Sequence, residues 1–405
     1  MPFLPAIAMS IFARKAVRMD AQPQNLEFPA WPQFGDEERS GLIRALDQGQ
    51  WWRMGGSEVD TFEREFADHH GAAYALGVTS GTHALELGLE VLGIGPGTEV
   101  IVPAITFISS SLAVQRLGGV AVPVDVYPDT YCIDVEAAAA AITPRTRAIM
   151  PVHMAGHFAD MDKLAKLAAD SGVAIIQDAA HAHGATWRGH RVGELGSIAA
   201  FSFQNGKLMT AGEGGALLFD NAEQYQDAFL RHSCGRPRGD RTYRHATSGS
   251  NYRMNEFSAA VLRAQLSRLE AQIDVREARR AQLAGLLAAV PGLTSQGRDE
   301  RCDRNPHYMM MFRIQGITED QRNELVDRLI ERGLPAFAAF RAIYRTNSFW
   351  ERGAPDTTVA ELARSCPVSE AISEDCLWLH HRVLLGTPGQ MEQAAAAIAE
   401  TAAGR

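Results

Sequence analysis

The chain has 405 residues, of which 46% are hydrophobic and 21% charged, and a net charge of −9, a make-up that fits a globular protein too long for a single core. Its Lys and Arg residues are scattered, which excludes the concentrated basic face that nucleic acid requires. The apolar start MPFLPAIAMSIFARK is too short to span a bilayer and carries its charges after the apolar stretch, so neither a membrane span nor a secretory signal is expected of it. Residues 1–25 are therefore expected to form a disordered extension, with Met19 as an alternative start. From there, strand-like apolar runs recur at Ala75 to Val78, Val100 to Pro103, Val120 to Val124, Ala148 to Val152, Val173 to Gln177, Ile198 to Phe203 and Ala216 to Phe219. Helical patterns lie between them, the rhythm of an α/β domain with mostly parallel strands. In the connector from Asp160 to Gly172, Asp160 can cap, Leu164 and Leu167 share a face, and Gly172 can end the helix. From about Ser258 a long charged helix follows, and Pro291-Gly292 opens a different pattern. The expected organisation is a large domain over 26–290 and a smaller α+β domain over 291–405, with a strand at Met309 to Ile314 and helices at Glu319 to Arg332 and Met391 to Ala403. The five cysteines are odd in number and hold no CxxC pair, so neither a disulfide framework nor a zinc site is expected and a reducing cytoplasm fits.

Four segments carry residues suited to chemistry. In VTSGTHALELGLEVL, Ser80-Gly81-Thr82 stands between a strand and a helix, where free amides form an anion site and Gly81 lets a phosphate approach. The glycine cluster Gly93 to Gly97 follows a helix rather than a strand and reads as a turn. Phe107, just past another strand, could stack on a planar ring or simply pack in the core. In VAIIQDAAHAHG, Asp178 ends an apolar strand at the edge where open α/β sheets place ligands, and a carboxylate buried there needs a cation or several donors. Its alternative is a helix cap. His181 and His183 follow in a DxxHxH spacing that matches neither zinc-finger nor metalloprotease patterns, so no metal is expected. In FSFQNGKLMTAGEGG, Lys207 sits in a loop bounded by Gly206, Gly212, Gly214 and Gly215. A lysine alone is ordinarily a surface residue, but a desolvated amine in such a loop is a nucleophile toward an aldehyde.

Taken together, SGTHAL, the aspartate of DAAH, FSF...K...GEGG and GSNYRMNEF resemble the DegT-type sugar-aminotransferase family of fold-type I enzymes that use pyridoxal 5′-phosphate (PLP). The resemblance runs from about Leu26 onward. EFPAWPQF, GQWWRMGG, LRHSCGRPR, AFAAFRAIYRT and WLHHRVLL are similar, within that family, to the 3-amino-5-hydroxybenzoate synthases of ansamycin-type antibiotic biosynthesis. The resemblance implies PLP as the cofactor, Lys207 as its Schiff-base lysine, Asp178 on the pyridine nitrogen, Phe107 on the ring and His181 beside the phenolic oxygen. It implies Gly81, Thr82 and Ser202 as phosphate ligands, joined by Asn251 of the partner subunit, and hence a homodimer with a shared active site. The activity implied is dehydration and aromatisation of 5-amino-5-deoxy-3-dehydroshikimate, and the alternative is transamination of a keto-sugar or keto-cyclitol. A noncatalytic regulator of the same fold would have no use for both Lys207 and Asp178. A substrate carboxylate calls for a bidentate cation, for which Arg53, Arg236, Arg341 and Arg345 are candidates.

Overall fold

A computed structural model describes residues 25–196 and 198–404, so that the extension expected at the N-terminus, with Met19, lies outside the described residues but for residue 25. The apolar runs become strands β1 (Tyr74–Val78), β2 (Glu99–Pro103), β3 (Val120–Val124), β4 (Thr146–Ile149), β5 (Ala174–Asp178), a small hairpin of β6 (Thr186–Trp187) and β7 (His190–Arg191), then β8 (Ile198–Ser202) and β9 (Gly215–Phe219). All but the hairpin join one sheet in the order β1-β9-β8-β5-β4-β2-β3. The pairs from β8 outward to β3 are parallel, and β9 is antiparallel to both β8 and β1. The cause is the connection from β8 to β9, a loop without the helix that a parallel crossover needs. The helix Met161–Ser171 begins and ends as its sequence predicts: Asp160 accepts a hydrogen bond from the Lys163 amide (3.1 Å), and Gly172 takes φ +69° in the left-handed region.

This topology gathers chain ends at one edge. Because β1, β5 and β8 run the same way, their carboxyl ends lie together, and the reversed β9 brings its first residue, Gly215, to the same place. The segment after β2 joins them there.

A long helix, Glu256–Leu287, leads to a second, antiparallel sheet of β10 (Leu293–Ser295), β11 (Met309–Ile314), β12 (Ala336–Ala338) and β13 (Cys376–His380), in the order β10-β11-β13-β12. Helices Glu319–Glu331 and Pro388–Ala403 accompany it. The second starts earlier than its alanine-rich core suggests, since Thr387 caps it and Pro388 fits the first turn. Leu283 and Leu287 of the long helix pack with Met310, Phe312, Leu377 and Ile398 in this apolar cluster. The domain division near Pro291 is proposed on this change of sheet. Among the described residues, no helix is long and apolar enough to cross a membrane.

Candidate active site

At the gathered edge lies a cavity of about 400 Å³. Asp178, the last residue of β5, lies against it and is 7% exposed. Its Oδ2 accepts from Ser110 Oγ (2.8 Å) and its Oδ1 from the Ala180 amide (3.2 Å). Ser110 is itself 2.9 Å from the Thr106 hydroxyl, and all three side chains are buried. Burial raises the pKa of Asp178, outweighing the Ser110 hydrogen bond, the charge of Lys207 and the Ala180 amide, all of which lower it. Neither Ser110 nor Thr106 was singled out by sequence reasoning, and the one available signal was the hydroxyl-rich TFISSS segment after β2.

The helix Gly81–Val91 starts at the cavity, with Ser80 Oγ accepting from the His83 amide (3.1 Å). The amides of Gly81 and Thr82 stand in the first turn, which has no helical carbonyls for them. A Cβ on Gly81 would fall 2.6 Å from the Cβ of Ser202, so glycine is needed here to let β8 and the helix start meet. A Cβ on Gly215 would likewise strike the backbone of Ser80 at 2.4 Å. At both positions the absence of a Cβ lets the neighbouring chain pack closely. Thr82 Oγ1 donates to Ser109 Oγ (3.0 Å), and Ser202 closes this side of the cavity.

Lys207 enters from the loop between β8 and β9, its Nζ 4.5 Å from the ring centre of Tyr308. The His181 ring stacks on the same Tyr308 ring at 4.2 Å and 23°. His181 is buried, its Nδ1 has no hydrogen-bond partner among the described residues, and burial followed by the charge of Lys207 holds its pKa well below the usual histidine range. Phe107, 56% exposed, meets Phe340 edge to face at 6.2 Å. Tyr308, Met309, Phe340 and Trp378 complete the lining from the C-terminal part of the chain. His183, by contrast, lies away from the cavity lining, buried against Phe201 and Phe203.

Thus Gly81, Thr82, Phe107, Asp178, His181, Ser202 and Lys207 converge on one cavity. Asn251 does not: it is exposed, and its backbone bridges to Ser233. The four candidate arginines are also elsewhere, each with an acidic residue of its own. Arg53 is buried between Asp60 and Glu63 at 2.6 Å from each, Arg236 bonds the Asp240 carbonyl (2.9 Å), Arg341 reaches Glu319 (3.0 Å), and Arg345 reaches Glu370 (2.5 Å). No arginine lines the cavity among the described residues, where Lys207 is the cationic side chain.

The family model for DegT/DnrJ/EryC1/StrS aminotransferases matches residues 33–398. The chain belongs to this family. Among relatives of this aminotransferase-family enzyme, a 3-amino-5-hydroxybenzoate synthase of Amycolatopsis mediterranei (strain S699) is 68% identical over 379 residues, covering 93% of this chain and 98% of the relative. A dTDP-3-amino-3,4,6-trideoxy-alpha-D-glucose transaminase of Streptomyces venezuelae is 40% identical, over 75% of this chain and 78% of the other. The crystal structure of a 3-amino-5-hydroxybenzoic acid synthase superposes with a TM-score of 0.93 at 67% identity, covering 94% of this chain and all of that one. The donor set of the family member described here fits a phosphorylated pyridine aldehyde. It offers a primary amine at Lys207, a buried carboxylate at Asp178, an unpartnered Nδ1 at His181, and helix amides beside hydroxyls at Gly81, Thr82 and Ser202.

Proposed function

We propose that this enzyme forms 3-amino-5-hydroxybenzoate by dehydrating and aromatising 5-amino-5-deoxy-3-dehydroshikimate, with PLP attached at Lys207. The observation that carries this reading is the 68% identity to a synthase of that name along nearly the full length of both chains. In the reading, Lys207 holds the cofactor aldehyde, Asp178 the ring nitrogen, Phe107 a ring face, His181 the phenolic oxygen, and Gly81, Thr82 and Ser202 the phosphate. When bound, PLP supplies a ring that withdraws electrons from the amine-bearing carbon of the substrate.

The residues of the chain then divide the proton work. With its amine free, Lys207 would serve as the base for the proton on the amine-bearing carbon. Lys207 thereby gains the proton that the departing hydroxyl oxygen needs. His181, kept neutral by burial, is a weaker acid than that ammonium and serves as a hydrogen-bond partner. Asp178 holds a proton on the ring nitrogen. Loss of one more ring proton gives an aromatic product, which makes the sequence irreversible, and the amine stays on the product.

The test is turnover of substrate deuterated at the amine-bearing carbon, with no amino acceptor added. Full loss of the label and stoichiometric aromatic product are expected. One turnover that leaves the amino group on the cofactor would replace the reading with transamination, the activity named for the 40% identical relative.

The proposed assembly is a homodimer in which the partner subunit's Asn251 completes the phosphate site; the exposure of Asn251 away from its own cavity supports this. Mixing Lys207→Ala and Asn251→Ala subunits should then restore up to one intact site per heterodimer, read as regained turnover. The cytoplasm is the proposed setting, supported by the free thiols of Cys132, Cys302, Cys366 and Cys376.

A further inference from the structure

The loop that carries Lys207 is gripped from outside by residues remote in sequence. Trp31 Nε1 donates to the carbonyl of Asn205 (2.9 Å), and His381 Nε2 lies 3.1 Å from the carbonyl of Gly206. A carbonyl only accepts, so the His381 proton sits on Nε2 and Nδ1 is left as an acceptor. Arg276 supplies the donor, its Nη2 lying 3.4 Å from His381 Nδ1 and 3.2 Å from Gln272 Oε1. Gln272 in turn donates from Nε2 to Gln33 Oε1 (2.9 Å), two residues beyond Trp31. The rings close the group: Trp31 meets His381 edge to face at 4.5 Å, and the Arg276 guanidinium lies 5.6 Å from the Trp31 ring.

Arg276 is unusual in its own right. It is fully buried on the helix Glu256–Leu287, no carboxylate pairs with it among the described residues, and its Nε and Nη1 have no hydrogen-bond partner. A buried charge without a counter-ion is costly, and nothing in the apolar packing of that helix calls for one. What the guanidinium does provide, even with burial lowering its pKa to about 9, is a donor that stays protonated near neutral pH and holds the imidazole of His381 in one tautomer and one orientation.

We propose that Trp31, Arg276 and His381 act as a clamp on two successive carbonyls of the β8–β9 loop, and that this clamp positions the amine of Lys207 in the cavity. The three are positioning residues, since Trp31 and His381 bond the peptide units before Lys207, Arg276 acts through His381, and none lines the cavity. The loop's internal bonds, from the Lys207 amide to the Gln204 carbonyl (2.8 Å) and from the Gly206 amide to Gln204 Oε1 (2.7 Å), shape the turn but do not tie it to the rest of the fold. The clamp supplies that tie from the N-terminal segment, the long helix and the end of β13 together.

The inference rests on the reading that Lys207 attaches the cofactor, which borohydride fixation and peptide mapping of the wild-type protein test separately. The clamp itself is tested by stripping the cofactor, adding PLP back, and following its attachment by absorbance in His381→Leu, His381→Gln, Trp31→Phe and wild-type proteins, with thermal melting in parallel. Displacing the amine by about an ångström should slow attachment and turnover by about tenfold to a hundredfold in His381→Leu, with KM little changed. Gln places an amide donor near the position of Nε2 and should recover most of the rate. Trp31→Phe removes one donor from a half-buried ring and should slow attachment in the same direction with little loss of melting temperature. Wild-type rates in folded His381→Leu and Trp31→Phe proteins would overturn the clamp. So would a loss in His381→Leu that Gln fails to restore. Should His381→Leu not fold, the result from Trp31→Phe decides.

Discussion

The carboxylate of Asp178 is oriented by two donors of the protein, Ser110 Oγ on Oδ2 and the Ala180 amide on Oδ1, which leaves lone pairs free toward the cavity. That arrangement separates charge from shape. Asp178→Asn keeps the outline, and its amide oxygen can still accept from one of the two donors, but the negative charge that the proposed role on a ring nitrogen requires is gone. Cofactor should remain bound while turnover falls by about 10² to 10³, the effect of removing one preorganised electrostatic partner; near-normal turnover in steady-state assays would sink the assigned role. Ser110→Ala should act on the same carboxylate by degree. The Ser110 hydrogen bond lowers the pKa of Asp178 against the raising effect of burial. Removing the bond lets the pKa rise further, so the acid limb of the pH–rate profile should move to higher pH. An unmoved limb would mean that Asp178 does not govern it.

At the level of elements, the site depends on how closely the helix Gly81–Val91 can approach the end of β8. Gly81→Ala places a Cβ 2.6 Å from the Cβ and 3.1 Å from the Cα of Ser202, and neither atom is the free end of a flexible side chain. The helix start has to retreat, at about 1–3 kcal/mol of strain, and its amides retreat with it. Thermal unfolding should show the destabilisation, and titration with PLP should show weaker binding. Gly285→Ala is the control, an exposed position in the long helix with nothing within 4 Å of the added Cβ, and it should stabilise by about 0.5–1 kcal/mol. Seven strands were legible because each is an unbroken apolar run bounded by turn residues. The reversal of β9 was not, since direction follows from the missing crossover helix rather than from anything within GALLF. The same limit hid one side of the cavity wall. Asp178 and Lys207 announce themselves at strand ends, but Tyr308, Met309, Phe340 and Trp378 become neighbours of Lys207 only when the second sheet docks. The misplaced arginines have a related cause: a sequence shows that Arg53 can bind a carboxylate but not that Asp60 and Glu63 already occupy it.

Across the whole molecule, the distribution of histidines sets how the protein responds to acid. Burial holds His153, His69 and His380 at a pKa of about 4 and His183 and His232 at about 3, against an ordinary value of 6.5. The sign follows from where protons bind. Above pH 6.5 a histidine is neutral in both folded and unfolded chains, and its contribution to stability is complete. Below 6.5 the unfolded chain takes up protons that the folded one refuses, so stability is lost as pH falls toward the folded values, by up to ~1.4 kcal/mol per pH unit for each such histidine. Glu63, held at about 7, and Glu86, Asp178 and Glu256, whose pKa burial also raises, work the other way, since the folded chain binds their protons more readily as pH falls. The histidines outnumber them, and the melting temperature should drop steeply between pH 6.5 and 4. His153 offers a clean test of the cause. Its Nδ1 accepts from the Ala159 amide (3.2 Å), which places the proton on Nε2, within 2.9 Å of Gln177 Oε1. A second proton on Nδ1 would have to face that amide, and the low pKa has this steric and electrostatic reason as well as burial. His153→Gln keeps a donor for Gln177 but leaves the Ala159 amide unpaired, so it should lower stability at pH 7.5 by about 1–3 kcal/mol. With one titrating group removed, its loss of stability from pH 6.5 to 4 should be shallower than that of the wild type. Parallel acid slopes in urea unfolding of the two proteins would show that His153 takes up its proton equally in the folded and unfolded chains and that the acid response arises elsewhere.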